Sequence, residues 1–303
     1  KEKERKGDGE GSVVKGLHQG KAKKRGTMPS TSESVDDAIN IMTDVFLSIS
    51  IACCLLTLLS FAVFKELRTF PIKLIMWQCV AIIFSFLFFM LCFASAIVES
   101  DFCDGAAAIA HFFFIANFCW CTVIAFNFYQ MVVKRNREVR RYEKFYHLFA
   151  WSIPMACFIA VIAPDEYGAI GGDFCWIKSE AARFGAFFVP GLILIHVNLI
   201  FFFFVAREIH ETLSESKADQ KKRSAELRVY LSILVSVGCS WLFGFLMYII
   251  PDDTAATVFL FMFTLTTPLQ GVFIFVAYVL NKRVLGRWAG VFSFIPCCDR
   301  VHQ

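Results

Sequence analysis

Seven long runs of apolar residues divide this chain, and polar segments separate them. None of the runs contains Asp, Glu, Lys or Arg. The hydrocarbon core of a bilayer is about 30 Å thick, and about 20 helical residues cross it. Because lipid offers the backbone no hydrogen-bonding partner, such runs form helices. The predicted spans are Val45–Phe64, Leu74–Val98, Ala106–Val133, Phe145–Ala163, Phe184–Ala206, Val229–Ile250 and Thr254–Leu280.

The composition agrees with a membrane protein. Of 303 residues, 57% are hydrophobic and 36 are Phe, which is more apolar surface than a soluble domain of this length can hide. We therefore predict an all-α fold, a bundle of seven transmembrane helices over residues 38–281. A polar tail, expected to be disordered, precedes it at 1–37. A short amphipathic helix at 282–293 and a cytosolic tail at 294–303 follow it.

The segments between the spans alternate in charge. Four segments together carry nineteen Lys and Arg, whereas the loops on the opposite side carry two. These segments are 65–73, 134–144, 207–228 and the tail after the last span. Positive charge marks the cytosolic side of a membrane protein. The pattern predicts a multi-pass plasma-membrane protein with its N-terminus outside and its C-terminus inside. The basic residues in 1–25 are an exception to this charge rule, because the pattern places them outside. The segment 26–44, beside the first span, has no Lys or Arg and follows the rule.

Several kinds of chemistry are missing from the spans. Ion-coupled transport usually needs an ionisable group at membrane depth, and no span has a carboxylate or an amine. The last span also lacks the lysine that a retinal Schiff base needs. The chain has no metal-ligand spacing, phosphate-binding loop or nucleophile motif. We expect no enzyme activity, no cofactor, no metal and no nucleic-acid partner.

The twelve cysteines differ in their predicted depth. Cys103 and Cys175 lie on the outer face, where an oxidising compartment pairs thiols, so we predict a disulfide between them. Eight others lie inside spans as small apolar residues. Cys297 and Cys298 follow the amphipathic stretch and suit palmitoylation, although free thiols are an equally simple interpretation.

Aromatic and polar residues near the outer side are candidates for a ligand site. His111, Phe114 and Phe118 share one face of the third span, and a bridged Cys175 holds Trp176 above the bundle. Small-molecule sites are mostly apolar with a few polar anchors. Helix packing explains each residue equally well, and each polar one can bond a neighbouring helix. The candidate ligand-binding residues are His111, Phe114, Phe118, Trp176, Asn198, Trp241, Phe245 and Gln270.

Two spans contain helix-weakening residues at mid-depth. In the sixth, Gly238 and Gly244 bracket Trp241, and small residues allow helices to approach closely. In the seventh, Pro268 removes a backbone hydrogen bond. A static kink and a functional hinge are both compatible with this pattern. The candidate switch residues are Gly238, Trp241, Gly244, Pro268, Gln270 and Gly271.

Short motifs occur in order at the depths of adhesion-type and secretin-type G-protein-coupled receptors. The resemblance to that family covers about residues 38–293. The motifs that carry it are Phe118-Cys-Trp, Cys175-Trp, Ser240-Trp-Leu-Phe-Gly and Leu269-Gln-Gly-Val-Phe-Ile-Phe, and Trp151-Ser-Ile-Pro fits too. The first inner loop, Phe64-Lys-Glu-Leu-Arg-Thr-Phe-Pro, is more similar to slime-mould cyclic-AMP receptors.

The resemblance implies roles for named residues. Trp241 would be the switch beneath the ligand pocket, and Gln270 and Gly271 would belong to the activation hinge. Two positions depart from the family's pattern, because Ile124 stands where Glu is frequent and Lys73 where His is frequent. The polar lock of the inactive state is therefore not expected here in its usual form.

By this resemblance the chain is a cell-surface receptor that couples an unknown extracellular ligand to a heterotrimeric G protein. Its inner basic residues would meet acidic groups of the G protein or membrane lipids, although topology alone also accounts for their charge. A transporter or channel, a membrane scaffold and a retinal photoreceptor are the alternatives. The candidate G-protein contacts are Arg135, Arg137, Arg140, Arg141, Arg228 and Lys282.

Overall fold

The computed structural model describes residues 31–94, 98, 100, 102–171, 174–211, 241–246, 249–250 and 253–293. The described α-helices are α1 (Thr31–Val63), α2 (Phe70–Cys92), α3 (Cys103–Val132), α4 (Glu143–Ile162), α5 (Glu180–Arg183, then a π-helical turn Phe184–Phe188, then Val189–Glu211), α6 (241–246), α7 (Asp253–Thr266), α8 (Leu269–Tyr278) and α9 (Lys282–Ser293). Strands β1 (Tyr167–Ile170) and β2 (Phe174–Ile177) lie between α4 and α5, and 3-10 turns occupy Lys65–Leu67 and Val139–Tyr142.

Six helices in the described part of the chain are long and apolar enough to cross a membrane. They correspond to the first five and the seventh of the predicted spans. Of the sixth, Val229–Ile250, only 241–246 and 249–250 are described. The predicted all-α class, with a short C-terminal helix, is confirmed. Helix α1 begins at Thr31 and not at Val45, because polar residues outside lipid can also form helix. The predicted disorder is therefore wrong for residues 31–37, which are helical.

α3 lies at the centre of the bundle. In α3, 78% of the membrane-crossing window is buried against the rest of the protein, whereas the share is between 28% and 44% in the other five. Helices α2, α4 and α5 and both strands contact it. The other helices expose many large apolar side chains, among them Leu59, Leu148 and Phe203. In a membrane these side chains meet lipid. Because α3 is the most buried of the described helices, its side chains are the ones that can line a site inside the bundle.

Several helix ends have an identifiable chemical cause. The guanidinium of Arg68 donates to the carbonyls of Phe61 and Ala62, which otherwise lack partners at the end of α1. Pro71 stands in the first turn of α2, where its missing N–H costs nothing. The seventh span is divided into α7 and α8 just before Leu269, because Pro268 cannot donate a helical hydrogen bond.

The strands β1 and β2 form an antiparallel hairpin that covers the N-terminal end of α3, the end that is predicted to face outward. Tyr167 pairs with Ile177 and Ala169 pairs with Cys175. Gly171 begins the turn with a φ of 65°, a left-handed conformation that glycine adopts without steric cost. The predicted disulfide between Cys103 and Cys175 is confirmed. It ties β2 to the first residue of α3.

Helix α9 packs against the C-terminal end of α1. The Trp288 indole nitrogen donates to Ser60 Oγ at 3.0 Å, and its ring meets Phe64 edge to face at 5.1 Å. An ion pair joins Arg287 to Glu66 at 3.1 Å, with both side chains half exposed. The apolar face of α9 therefore has a protein partner at Trp288 and Val284.

Candidate functional site

His111 joins three separate elements at the end of the bundle that carries the hairpin. The residue is fully buried in α3. Its Nε2 lies 3.0 Å from the Ala186 carbonyl, in the π-helical turn of α5, and its Nδ1 lies 2.7 Å from the Tyr167 hydroxyl in β1. Because a carbonyl only accepts, Nε2 carries the proton, and in the neutral ring Nδ1 accepts from the hydroxyl. Burial raises the pKa of Tyr167, so that hydroxyl keeps its proton.

Trp241 of α6 lies inside a cage of aromatic rings, which we call the Trp241 cluster. It comprises Trp241, Phe114, Phe118, Phe187 and Phe263. All four Phe rings meet the indole edge to face, with ring centroids between 5.0 and 5.3 Å apart. Such pairs each add about 0.5–1.5 kcal/mol beyond the burial of area. The cluster therefore couples α6 to α3, α5 and α7 at one point.

The Trp241 cluster continues outward to the hairpin. Trp176 of β2 lies 6.1 Å from Phe114 and 5.3 Å from Phe187 between ring centroids, and Phe245 follows Trp241 along α6 at 6.3 Å. The structure thus brings together all five aromatic residues that the sequence singled out. Sequence reasoning missed Phe187 and Phe263, because one Phe among many in an apolar helix carries no distinguishing signal.

Polar groups form a second layer beside the Trp241 cluster, which we call the amide triad: Gln78, Asn117 and Gln270. Gln270 Nε2 donates to Asn117 Oδ1 at 3.0 Å, and Asn117 Nδ2 donates to Gln270 Oε1 at 3.2 Å. Gln78 of α2 also donates to Asn117 Oδ1. All three residues are buried. The sequence had indicated that Gln270 needs a partner at this depth, but it did not identify Asn117 or Gln78.

Asn198 makes a similar contact between α3 and α5. Its Nδ2 donates to Thr122 Oγ1 and to the Leu194 carbonyl, both at 2.8 Å. Its Oδ1 is buried without a hydrogen-bond partner among the described residues. His111, Asn198 and Gln270, the three predicted polar anchors, therefore all bond neighbouring elements of the bundle. Only Asn198 among them retains a buried acceptor to which a ligand can donate.

Of the candidate hinge residues, Gly271 and Gly244 both lie where helices approach closely. A Cβ built on Gly271 would stand 2.7 Å from the Ser50 carbonyl oxygen and 3.0 Å from Cys54 Sγ. One built on Gly244 would stand 3.2 Å from the ring of Phe263. Gly271 therefore lets α8 touch the backbone of α1, and Gly244 lets α6 touch α7. Gly238 lies outside the described residues.

The candidate inner contacts are exposed at the opposite end of the bundle. Arg135 has a left-handed φ of 49° just after α3 and lies 3.7 Å from Glu208 of α5. Arg140 lies 3.7 Å from Glu143, and Arg141 donates to the Tyr142 hydroxyl. Arg137 and Lys282 are exposed. Arg228, Cys297 and Cys298 lie outside the described residues.

Comparisons with known proteins agree with this architecture. The family model described as 7 transmembrane receptor (Secretin family) matches residues 36–274. The Latrophilin receptor-like protein A of Dictyostelium discoideum is 40% identical over 264 residues, which cover 86% of this chain and 85% of that protein. The Putative adhesion G protein-coupled receptor E4P of Homo sapiens is 26% identical over 278 residues, and the Adhesion G-protein coupled receptor D1 of Bos taurus is 27% identical over 258.

The aligned part covers 85% of the Dictyostelium relative. It covers 59% of the Homo sapiens relative and 28% of the Bos taurus relative. The chain belongs to the secretin family of seven-transmembrane receptors. It is a multi-pass receptor of the cell surface, in the G-protein-coupled class. The predicted family is confirmed, and it is a family of receptors and not of enzymes.

Proposed function

We propose that an extracellular ligand binds beneath the hairpin and changes the packing of the Trp241 cluster, which moves α6 and activates a heterotrimeric G protein. The ligand-contacting surface comprises Trp176, Phe114, Phe118 and Phe245, with a donor group of the ligand directed at Asn198. The N-terminus is extracellular in this proposal, because the basic loops mark the opposite side as cytosolic.

The observation that carries this proposal is the position of Trp241. One indole contacts residues of three other helices, so its rotation changes the packing of all of them. Gly244, one turn further along α6, leaves room for that ring beside Phe263. Packed interfaces favour discrete arrangements over continuous deformation. The cluster therefore suits a two-state switch.

Pro268 and Gly271 weaken the seventh span next to Gln270 and complete the hinge in this proposal. In this proposal a Gα subunit enters between the cytosolic ends of the third, fifth and sixth predicted spans. There it meets Arg135, Arg137, Arg140, Arg141, Arg228 and Lys282. A ligand shifts such an equilibrium only through its different affinities for the two states. Moving a population from 1:99 to 99:1 requires about 5.5 kcal/mol of that difference.

The test is guanine-nucleotide exchange on a panel of purified Gα subunits by the reconstituted receptor. We expect at least one Gα subunit to exchange faster with the receptor present. Trp241→Ala should change that rate by about fivefold or more, since it removes the four edge-to-face contacts. The matched control is Leu242→Ala, which truncates the next residue of α6, a side chain 52% exposed to lipid.

Each outcome of that experiment supports or contradicts a stated part of the proposal. Receptor-dependent exchange that Trp241→Ala alters and Leu242→Ala does not is the expected result. Equal exchange in both variants overturns the switch role of Trp241. Exchange that the receptor accelerates on none of the Gα subunits overturns the proposed G-protein coupling, and ion or solute flux in the same vesicles would favour a transport activity instead.

The remaining parts of the chain have separate roles in the proposal. In the proposal, residues 1–37 lie outside the cell, 38–281 form the receptor bundle, 282–293 form an interfacial helix, and 294–303 form a cytosolic tail whose Cys297 and Cys298 are palmitoylated. Hydroxylamine, which cleaves thioesters, should lower the mass of the cell-derived receptor. An unchanged mass would refute the palmitoylation.

A further inference from the structure

Aromatic side chains of α2 and α4 meet between the two helices, and we call this region of contact the crevice. Trp77 of α2 meets His147 and Trp151 of α4 edge to face, with ring centroids 5.3 and 5.8 Å apart. Behind them Trp77 stacks on the buried Trp120 of α3. Trp77 itself is 39% exposed. A lipid chain in the bilayer can therefore lie directly against this ring.

Two lysines flank the end of this crevice nearest the basic loops. Lys73 lies three residues after Phe70, whose ring stacks on Tyr146 of α4, and four before Trp77, so helical spacing places it on the face of α2 turned towards α4. Lys144 lies three residues before His147 and seven before Trp151, on the matching face of α4.

Among the residues that the structure describes, neither Lys73 nor Lys144 is in an ion pair. Glu143, the residue before Lys144, lies instead 3.7 Å from Arg140. The neighbouring Arg141 donates to the Tyr142 hydroxyl. Lys73 is half-buried within α2. Topology explains positive charge in a loop, but it does not require a lysine inside a helix beside a lipid-facing Trp.

We propose that this crevice binds an anionic phospholipid of the leaflet that the basic loops face. The phosphate lies between the ammonium groups of Lys73 and Lys144, and an acyl chain lies along Trp77 and Trp151. Basic pockets between transmembrane helices bind anionic head groups in this way. A zwitterionic lipid carries no net charge to offset the two lysines, and a sterol carries none at all.

The test uses quenching of tryptophan fluorescence by lipids with brominated acyl chains. The receptor is reconstituted with brominated phosphatidylglycerol in plain phosphatidylcholine, and separately with the bromine on the phosphatidylcholine, at equal mole fractions. We expect the anionic lipid to be preferred about fivefold, with the preference falling at high salt. Trp77→Phe should remove much of the selective quenching, which locates the signal at the crevice.

The decisive variant is Lys73→Gln combined with Lys144→Gln, which should make the two lipids quench equally. Quenching by brominated phosphatidylcholine and the melting temperature report whether this variant is folded. The matched control is Lys134→Gln, a lysine on the same side that lies over Tyr129, whose ring contacts α5. It should keep the preference.

Three results would overturn the proposal. The first is no preference in the unaltered receptor. The second is a preference that survives in the folded double variant, or that Lys134→Gln also removes, which would indicate a general effect of net charge. The third is displacement of brominated phosphatidylglycerol by a sterol more readily than by plain phosphatidylglycerol. No G protein takes part, so failure here is separate from failure of the proposed signalling function.

Discussion

Asn117 and Gln270 exchange two hydrogen bonds in the middle of the bundle, although 153 residues separate them in sequence. Each amide donates to the oxygen of the other, at 3.2 and 3.0 Å. The pair joins α3, the most buried helix, to α8, which follows the break at Pro268. It therefore holds the second half of the seventh span in register with the centre of the receptor.

The first prediction concerns this pair. Asn117→Leu and Gln270→Leu should each lower the free energy of unfolding by about 1–2 kcal/mol, because each leaves a buried amide unsatisfied. The double variant should lose about 1 kcal/mol less than the sum, a coupling in the range found between membrane helices. Thermal unfolding in detergent measures all three. Asn117→Leu with Asn198→Leu is the control, and its effects should add within about 0.5 kcal/mol.

A second prediction follows from the contact between α8 and α1. Gly271→Ala should cost about 1–3 kcal/mol, since its Cβ would stand 2.7 Å from the Ser50 carbonyl oxygen and the helices must separate. Gly286→Ala is the matched control, because a Cβ there meets nothing within 4 Å and alanine favours helix. Equal melting temperatures for the two variants would disprove the close approach.

The third prediction concerns the hydrogen bond from Tyr167 to His111. Tyr167→Phe removes one hydroxyl, worth about 1 kcal/mol, so amide exchange in β1 and β2 should accelerate about fivefold. Hydrogen exchange read by mass spectrometry measures it. Tyr142→Phe removes a hydroxyl that bonds the exposed Arg141, and it should leave the hairpin unchanged. Unaltered exchange in Tyr167→Phe would show that this hydrogen bond does not stabilise the hairpin.

That disulfide is the subject of the fourth prediction. Cys103→Ser should destabilise the receptor by about 2–4 kcal/mol, because it frees the hairpin from the end of α3. A reducing agent should bring the unaltered receptor to the same melting temperature. Cys53→Ser, which changes a free cysteine of α1, should respond to the reducing agent as the unaltered receptor does. A melting temperature insensitive to reduction would contradict the bond's contribution.

The fifth prediction separates two contacts of α9. Glu66→Gln breaks an exposed ion pair with Arg287, and such pairs contribute about 0–1 kcal/mol. Trp288→Ala removes an edge-to-face contact and a hydrogen bond to Ser60, and should cost about 2 kcal/mol in local stability. Amide exchange along α9 compares the two variants. The reverse order would mean that charge and not packing holds this helix.

The aromatic residues of the candidate site could be predicted as a group but not as an arrangement. Trp241 and Phe118 stand in motifs whose depth can be estimated from sequence, Phe114 shares a helix face with Phe118, and the structure brings the three together. Phe187 and Phe263 complete the Trp241 cluster without any such signal. Their contribution depends on how α5 and α7 are rotated, and a helix that is apolar on all sides shows no preferred face in its sequence.

By itself the sequence determined the first five spans and the seventh, the family and the pairing of Cys103 with Cys175. Each of these depends on a local property, such as the hydropathy of about 20 residues or the depth of a side chain. Only the tertiary structure decided that His111 meets Tyr167 and Ala186, and that Gln270 meets Asn117. The reason is physical: a buried polar group must find a partner, but which partner depends on the order and rotation of helices distant in the chain.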